Sequence, residues 1–322
     1  MICLSWKKRL VAVLVLGGLK IGIMYAINRL VNHISTKDNR LGKIEPSFYN
    51  WRFGRIFYTK QGSGKPLLLV HDLNVSSSAY EWDKVVETLA KTYTVYTIDL
   101  LGCGRSDKPN LTYTNFLYVQ LISDFIKYVI DEKTDVIATG ESGAFTLAAC
   151  AHDDSIIDQI ALVNPKDFIS LAKVPTKRTK LLRYLLCTPI AGTFLYNIFI
   201  NKRTIEKSFY SSYYYDCDKI SEESILTYFE SSQRDKTRSK FLYASLASRY
   251  TNANIIHNLK NLNNNIFIIA GNSNPKNMLT ANQYQNQLPS IEIVSMDEAK
   301  HLPHMESPKE FWEQIKILFD VN

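Results

Sequence analysis

Val136-Ile137-Ala138-Thr139-Gly140-Glu141-Ser142-Gly143-Ala144 is the stretch on which the reading of this chain turns. Four residues of strand character run into Gly140, the chain turns, and residues 144–151 continue as a run of small and apolar residues suited to a helix packed tightly on a sheet. The pattern is G-x-S-x-G with Ala144 in the last place. A turn this sharp needs small residues on both sides, because neighbouring backbone packs close to it, and Ala is the least disruptive replacement for Gly. Such a turn aims the Ser142 hydroxyl out of the sheet edge. It also points the Gly143 N–H and the helix N-terminus at the place where an oxyanion would form. On its own the stretch also reads as an ordinary Gly-Ser turn.

Working outward, strands and helices alternate. Residues 53–59, 67–70, 94–98, 135–139 and 159–163 read as strands, with helices over 80–91 and 114–131 between them. From 166 to 254 the strand signal stops, and only helical patterns rich in Leu, Tyr, Lys and Glu remain. Strands return at 265–270 and 291–295, before a last amphipathic helix over 307–319. This alternation predicts a doubly wound, mostly parallel α/β sheet. The organisation expected is an N-terminal segment over 1–31, a connector over 32–50, a core of 51–165 and 255–322, and an inserted helical cap over 166–254.

Three more motifs flank the central one. His71-Asp72-Leu73 follows the strand 67–70. Asp99-Leu100-Leu101-Gly102-Cys103-Gly104-Arg105-Ser106-Asp107-Lys108-Pro109 follows the strand 94–98. Lys300-His301-Leu302-Pro303-His304-Met305-Glu306-Ser307-Pro308 stands near the C-terminus, with Phe311 after it. These pieces, in this order, resemble the α/β-hydrolase superfamily over residues 53–319, and most closely its capped, esterase-like members. The resemblance implies that Ser142 is the nucleophile and His301 the general base. The N–H groups of Leu73 and Gly143 would form the oxyanion hole. His71, Asp99, Gly102, Gly104 and Arg105 would shape the site, and His304 would be a packing residue. Superfamily members that open epoxides or remove halide carry Asp at the nucleophile position, where the motif here places Ser142.

The chain departs from the pattern at three places. Asp72 stands where the family usually has Gly, so the oxyanion loop carries a carboxyl side chain. Ala144 replaces the last Gly of the elbow. Asn274, in Gly271-Asn272-Ser273-Asn274-Pro275, stands at the usual position of the acid that orients the histidine, and an amide cannot neutralise an imidazolium. Neutral replacement of a triad acid costs ~10⁴ in rate. Asp167, after the strand 159–163, is the expected substitute, within ~2.6–3.2 Å of one ring nitrogen of His301, although a helix N-cap is its plainer role.

At the N-terminus Lys7, Lys8 and Arg9 precede a run from Leu10 to Ile27 that is apolar apart from Lys20, with no small-x-small cleavage site after it. That pattern predicts an uncleaved membrane anchor of unassigned orientation. Lys20 opposes insertion by ~2.5–3.5 kcal/mol. The formal charge of +7 is dispersed over the chain with no sustained basic-aromatic array, so nucleic acid is not an expected partner. The five cysteines match no zinc pattern and read as unpaired thiols, with a Cys187–Cys217 disulfide as the alternative.

The function expected is therefore hydrolysis of a small lipophilic ester or acyl substrate through an acyl-enzyme on Ser142, without cofactor or metal. Carbon–carbon bond hydrolysis on the same machinery and a catalytically inactive binding protein are the alternatives, the latter motivated by Asp72 and Asn274.

Overall fold

The computed structural model describes residues 6–43 and 47–320. The eight strands β1 (Ser47–Trp51), β2 (Gly54–Gln61), β3 (Lys65–Val70), β4 (Tyr93–Ile98), β5 (Thr134–Thr139), β6 (Ile157–Val163), β7 (Asn265–Gly271) and β8 (Glu292–Met296) form one sheet in the order β1-β2-β4-β3-β5-β6-β7-β8. The pairs β1–β2 and β2–β4 are antiparallel, and every other pair is parallel. The middle strands are wholly apolar where they are covered on both faces: Leu67 to Val70, Val136 to Ala138 and Ile160 to Val163 are all fully buried.

The first strand was not expected. Residues 47–50 fall inside the polar connector, and β1 pairs only with β2, through a hairpin so tight that Trp51 lies opposite Gly54. Its aromatics make the strand stable at the sheet edge, with Phe48 edge-on to Phe57 at 5.8 Å.

Helix α1 (Trp6–Thr36) precedes the sheet, and α2 (Asp83–Leu89), α3 (Asn115–Phe125) and α4 (Ser142–His152) connect its strands. The cap consists of α5 (Phe168–Leu171), α6 (Lys177–Cys187), α7 (Ile190–Phe199), α8 (Lys202–Ser208), α9 (Glu222–Thr237) and α10 (Lys240–Ala247). A one-turn π-helix, Phe209–Tyr213, follows α8. The remainder is α11 (Ile256–Lys260), α12 (Pro275–Gln287), α13 (Pro303–Glu306) and α14 (Pro308–Leu318). Trp82 and α2 pack with Phe311 and Ile315 of α14 on one sheet face, whereas α3, α4 and α12 lie on the other. Each fully buried Leu, Ile, Val or Phe in these layers contributes ~1.5–3 kcal/mol. The cysteines at 103, 150, 187 and 217 are free, and Cys3 lies outside the described residues.

Lys8–Thr36 is long and apolar enough to cross a membrane, and α1 runs without a break past the expected end of the anchor at residue 31. Its N-terminal two-thirds is exposed, but its last turns are docked on the cap. Asn28 donates to the Ile190 carbonyl at 3.0 Å and accepts from Asn197 Nδ2 at 3.0 Å, while Asn32 donates to the Gln233 carbonyl at 2.6 Å. Just beyond the helix the Arg40 N–H donates to Glu230 at 2.7 Å, and the Arg40 side chain pairs with Glu223. Cutting at residue 31 therefore removes Asn28 from a buried seam, and the expected boundary falls inside one helix.

Candidate active site

Three loops converge at the carboxyl ends of the parallel strands, where sheets of this kind hold their ligands. They are the segment 71–74 after β3, the turn 140–142 after β5, and the segment 300–303 before α13.

Gly140 takes the sharp turn after β5. It has φ +57°, Glu141 is already right-handed at φ −67°, and α4 begins at Ser142. A left-handed residue directly after the strand is the one that an elbow projects, and here it has no side chain. Ser142 lies two residues later, as the first residue of the helix. It is completely buried, and its hydroxyl donates to the His71 carbonyl at 2.6 Å. The structure does not bring Ser142 to His301, contrary to the reading of the motif, because the motif frame is displaced by two residues. Gly143 is displaced with it. It lies in the first turn of α4 against Leu162, and the N–H that directly follows the elbow residue belongs to Glu141. Leu73 keeps its expected place in the loop after β3 and is buried.

The space over Gly140 is filled from that same loop. A Cβ on Gly140 would collide with the carboxylate of Asp72. Asp72 Oδ1 accepts the Glu141 N–H at 2.9 Å, and Oδ2 faces His301 Nε2 at 3.3 Å. His71 fixes the loop: its Nε2 accepts the Leu100 N–H at 3.0 Å, so its Nδ1 carries the proton and donates to the Asp72 carbonyl at 2.7 Å. That is the structural role expected of it.

His301 is held by backbone and cap. Its carbonyl and that of Lys300 accept from Asn164 Nδ2 at 2.9 and 2.8 Å. The His301 and Leu302 N–H groups donate to the carbonyls of Ser212 and Tyr213, both at 3.3 Å. The Tyr213 ring then stacks on the imidazole at 5.7 Å. Among the described residues, Asp72 is the sole carboxylate paired with this histidine. Asp167 is elsewhere: it is the N-cap of α5 and accepts the Ser170 N–H at 2.8 Å. Asn274 does the same for α12, accepting the Lys276 N–H at 3.2 Å. Both satisfy helix ends that would otherwise lack partners, which is what Asp and Asn do best at those positions.

Burial pushes the Asp72 carboxyl upward, but the bond and charge of His301 outweigh it, and the net displacement is downward. Burial pushes His301 down, but the bond to Asp72 and its charge leave the imidazole above its ordinary value. Each side chain thus favours the charged form of the other, and at 20% and 23% exposure both remain reachable from solvent. Nearby, Asp99 accepts from Arg105 Nε at 2.7 Å and from the Ala79 N–H at 2.6 Å, and Lys108 Nζ donates to the carbonyls of Cys103, Gly104 and Ser106. These bonds clamp the turn that borders the site.

A doubly wound eight-stranded sheet, an elbow after β5 and a histidine loop after β8 define the class of the α/β hydrolases. The chain belongs to the alpha/beta hydrolase family, whose pattern matches residues 67–314. Over 108 residues it is 29% identical to 2-hydroxy-6-oxo-6-(2'-aminophenyl)hexa-2,4-dienoic acid hydrolase of Metapseudomonas resinovorans, a match that covers 33% of this chain and 37% of that protein. The chain thus spans little more than a third of the length of that relative. Among solved structures it resembles a serine hydrolase involved in carbazole degradation, with a TM-score of 0.70 at 16% identity, covering 86% of this chain and 99% of that one. It also resembles a membrane phospholipase A, with a TM-score of 0.67 at 16% identity, covering 98% of each chain.

Proposed function

We propose that this chain is a membrane-anchored hydrolase that handles a small lipophilic substrate beneath the helical cap, with His301 as its acid–base group. The observation that carries the reading is the His301–Asp72 pair, which stands at the meeting point of the three loops with the Glu141 N–H aimed at the same spot. The cap supports the lipophilic part: Tyr213 over His301 is backed by Phe209, Tyr214 and Tyr228. Helix α1 supports the anchor. A relative named as a dienoic acid hydrolase, and neighbours named as a meta-cleavage product hydrolase and a carboxylesterase, supply the classes of substrate to try.

The test uses the full chain in detergent micelles or nanodiscs against lipophilic esters, meta-cleavage-type dienoic acids and epoxides. At least one class should turn over, and His301→Gln should lower that turnover by about 10³-fold or more. Equal rates in the variant, or no turnover of any class, would leave a binding protein on this fold. An acyl-enzyme on Ser142 requires that hydroxyl to leave the His71 carbonyl, and fluorophosphonate labelling lost in Ser142→Ala is the result that would establish it.

A further inference from the structure

We infer that Asp72 is a nucleophile supplied from the neighbouring loop to an elbow that has lost its own, and that it takes an epoxide on a lipophilic chain. The inference rests on the hydrolase reading above and narrows its substrate.

Three contacts place the carboxylate in the role. It fills the volume that a side chain on Gly140 would occupy, since a Cβ there would collide with it. Its Oδ1 sits on the Glu141 N–H at 2.9 Å, the donor that follows the elbow residue and would steady negative charge on an attacked carbonyl. Its Oδ2 faces Nε2 of the one histidine in the site. Orienting the imidazole for Ser142 would be a different role for Asp72, but the Ser142 hydroxyl is turned to the His71 carbonyl. The carboxylate is a fifth exposed, so a reactant can reach it.

The chemistry selects the substrate. A carboxylate is a weak nucleophile, so it needs a strained or activated saturated carbon. When it carries a proton, the imidazole held 3.3 Å from Asp72 can hand it to a leaving group that needs one, which an epoxide oxygen does and a halide does not. In the first step the bond from Asp72 Oδ2 to the epoxide carbon forms, the ring C–O bond breaks, and the imidazolium gives its proton to the opened oxygen. In the second step neutral His301 takes a proton from water, and the hydroxide adds to Asp72 Cγ. The resulting oxyanion lies at the Oδ1 position beside the Glu141 N–H. The Cγ–Oδ2 bond then breaks, and the diol leaves with Oδ2 and the proton from His301. The regenerated carboxyl returns its own proton to the imidazole. The sum is epoxide plus water to diol, with no change of oxidation state.

The experiment is a single turnover of 1,2-epoxydecane by excess full-length protein in ¹⁸O-labelled water, in micelles. The diol should carry unlabelled oxygen, and the peptide containing Asp72 should gain one ¹⁸O. Rapid quenching of the parent protein during that turnover should trap an adduct of the epoxide's mass on the same peptide, and His301→Gln, which lacks the acid of the first step and the base of the second, should form far less. Asp72→Asn, checked for folding by circular dichroism, should form none. Label in the diol with none in Asp72 would overturn the inference and leave His301 as a base acting on water. His301-dependent turnover of esters without any epoxide reaction, or fluorophosphonate capture at Ser142, would overturn it while the hydrolase reading stands. No His301-dependent turnover of any substrate would overturn both.

Discussion

Two histidine–carboxylate pairs lie three residues apart on the same loop, and they differ in almost everything except distance. His301 Nε2 is 3.3 Å from Asp72, and His304 Nε2 is 3.3 Å from Glu81. The first pair is about a fifth exposed, whereas the second is sealed at 0% and 1%. His304 is stacked on Trp82 at 4.2 Å and lies 5.5 Å from Phe311, and its contact with Glu81 lacks hydrogen-bond geometry. Burial is the largest influence on both imidazoles and pushes both down. Asp72 reverses it at His301, but Glu81 does not reverse it at His304. Identical partner chemistry thus gives a mutually stabilising pair open to solvent and a sealed packing element beside it. Solvent access decides which of the two can do work on a ligand.

The largest expected effects should divide cleanly between the pairs. His301→Gln should lower turnover by about 10³-fold or more while shifting the denaturation midpoint little. His304→Ala should do the reverse, removing about 2–4 kcal/mol of stability by emptying a packed aromatic site, with turnover per folded molecule within about tenfold of the parent. Urea titration beside a turnover assay would check both. Comparable rate losses in the two variants would break the contrast.

A second expectation couples the elbow to the loop. Gly140→Ser alone should be destabilised, because its side chain meets the Asp72 carboxylate at a left-handed position. Adding Asp72→Gly should recover part of that loss, with a coupling of about 1–3 kcal/mol measured by a double-mutant cycle. Additive losses would mean that the two residues do not share one space.

The pH dependence should also separate the pairs. Asp72 is lowered, so its contribution is present above the ordinary carboxyl value of ~3.9 and is lost as pH falls through the folded value. His301 is raised, so its contribution is present below ~6.5 and is lost as pH rises through the folded value. The stability difference between the parent and Asp72→Asn should therefore be widest between about pH 4 and 6.5. His304 is lowered, so it favours the folded state above ~6.5 and progressively less below it. His304→Gln should flatten that acid limb in thermal melts. The smallest effect belongs to Ser142→Ala, which loses one buried hydrogen bond, about 1 kcal/mol, and should keep turnover within about threefold.

The parallel sheet and the cap were legible because their signals are local: apolar runs for strands covered on both faces, and their absence over 166–254. The edge strand β1 was not, because Ser47–Trp51 is only five residues long, shows no apolar–polar alternation and owes its stability to pairing with β2. At the site the sequence carried an ambiguity that spacing alone does not resolve. Ala138-Thr139-Gly140-Glu141-Ser142-Gly143 fits an elbow with either Ser142 or Gly140 at its apex, and only the backbone angle distinguishes them. Asp72 was visible as a departure from the family pattern, but its partner was not, because His301 is 229 residues away. Asp167 and Asn274 occupy places where the family pattern puts an acid, whereas each is bound to an N–H group of its own helix. The docking of α1 rests on Asn28 and Asn32, two polar residues near the end of an apolar run whose partners lie more than 160 residues away.

That seam has a mechanical consequence. Helix α1 is unbroken over 31 residues, and its docked end touches both α7, through Asn197, and α9, through Gln233. Helix α9 in turn is pinned to the core, where Ser231 donates to the Ser77 carbonyl at 3.1 Å and accepts the Gly104 N–H at 3.2 Å. The 22 residues from Trp6 to Ile27 project about 33 Å from this joint, so a tilt of about 10° at the joint sweeps the free tip through about 6 Å. Run in the other direction, the same lever arm converts a reorientation of the apolar rod into torque on the cap, and through α9 on the loop that carries Asp99 and Arg105.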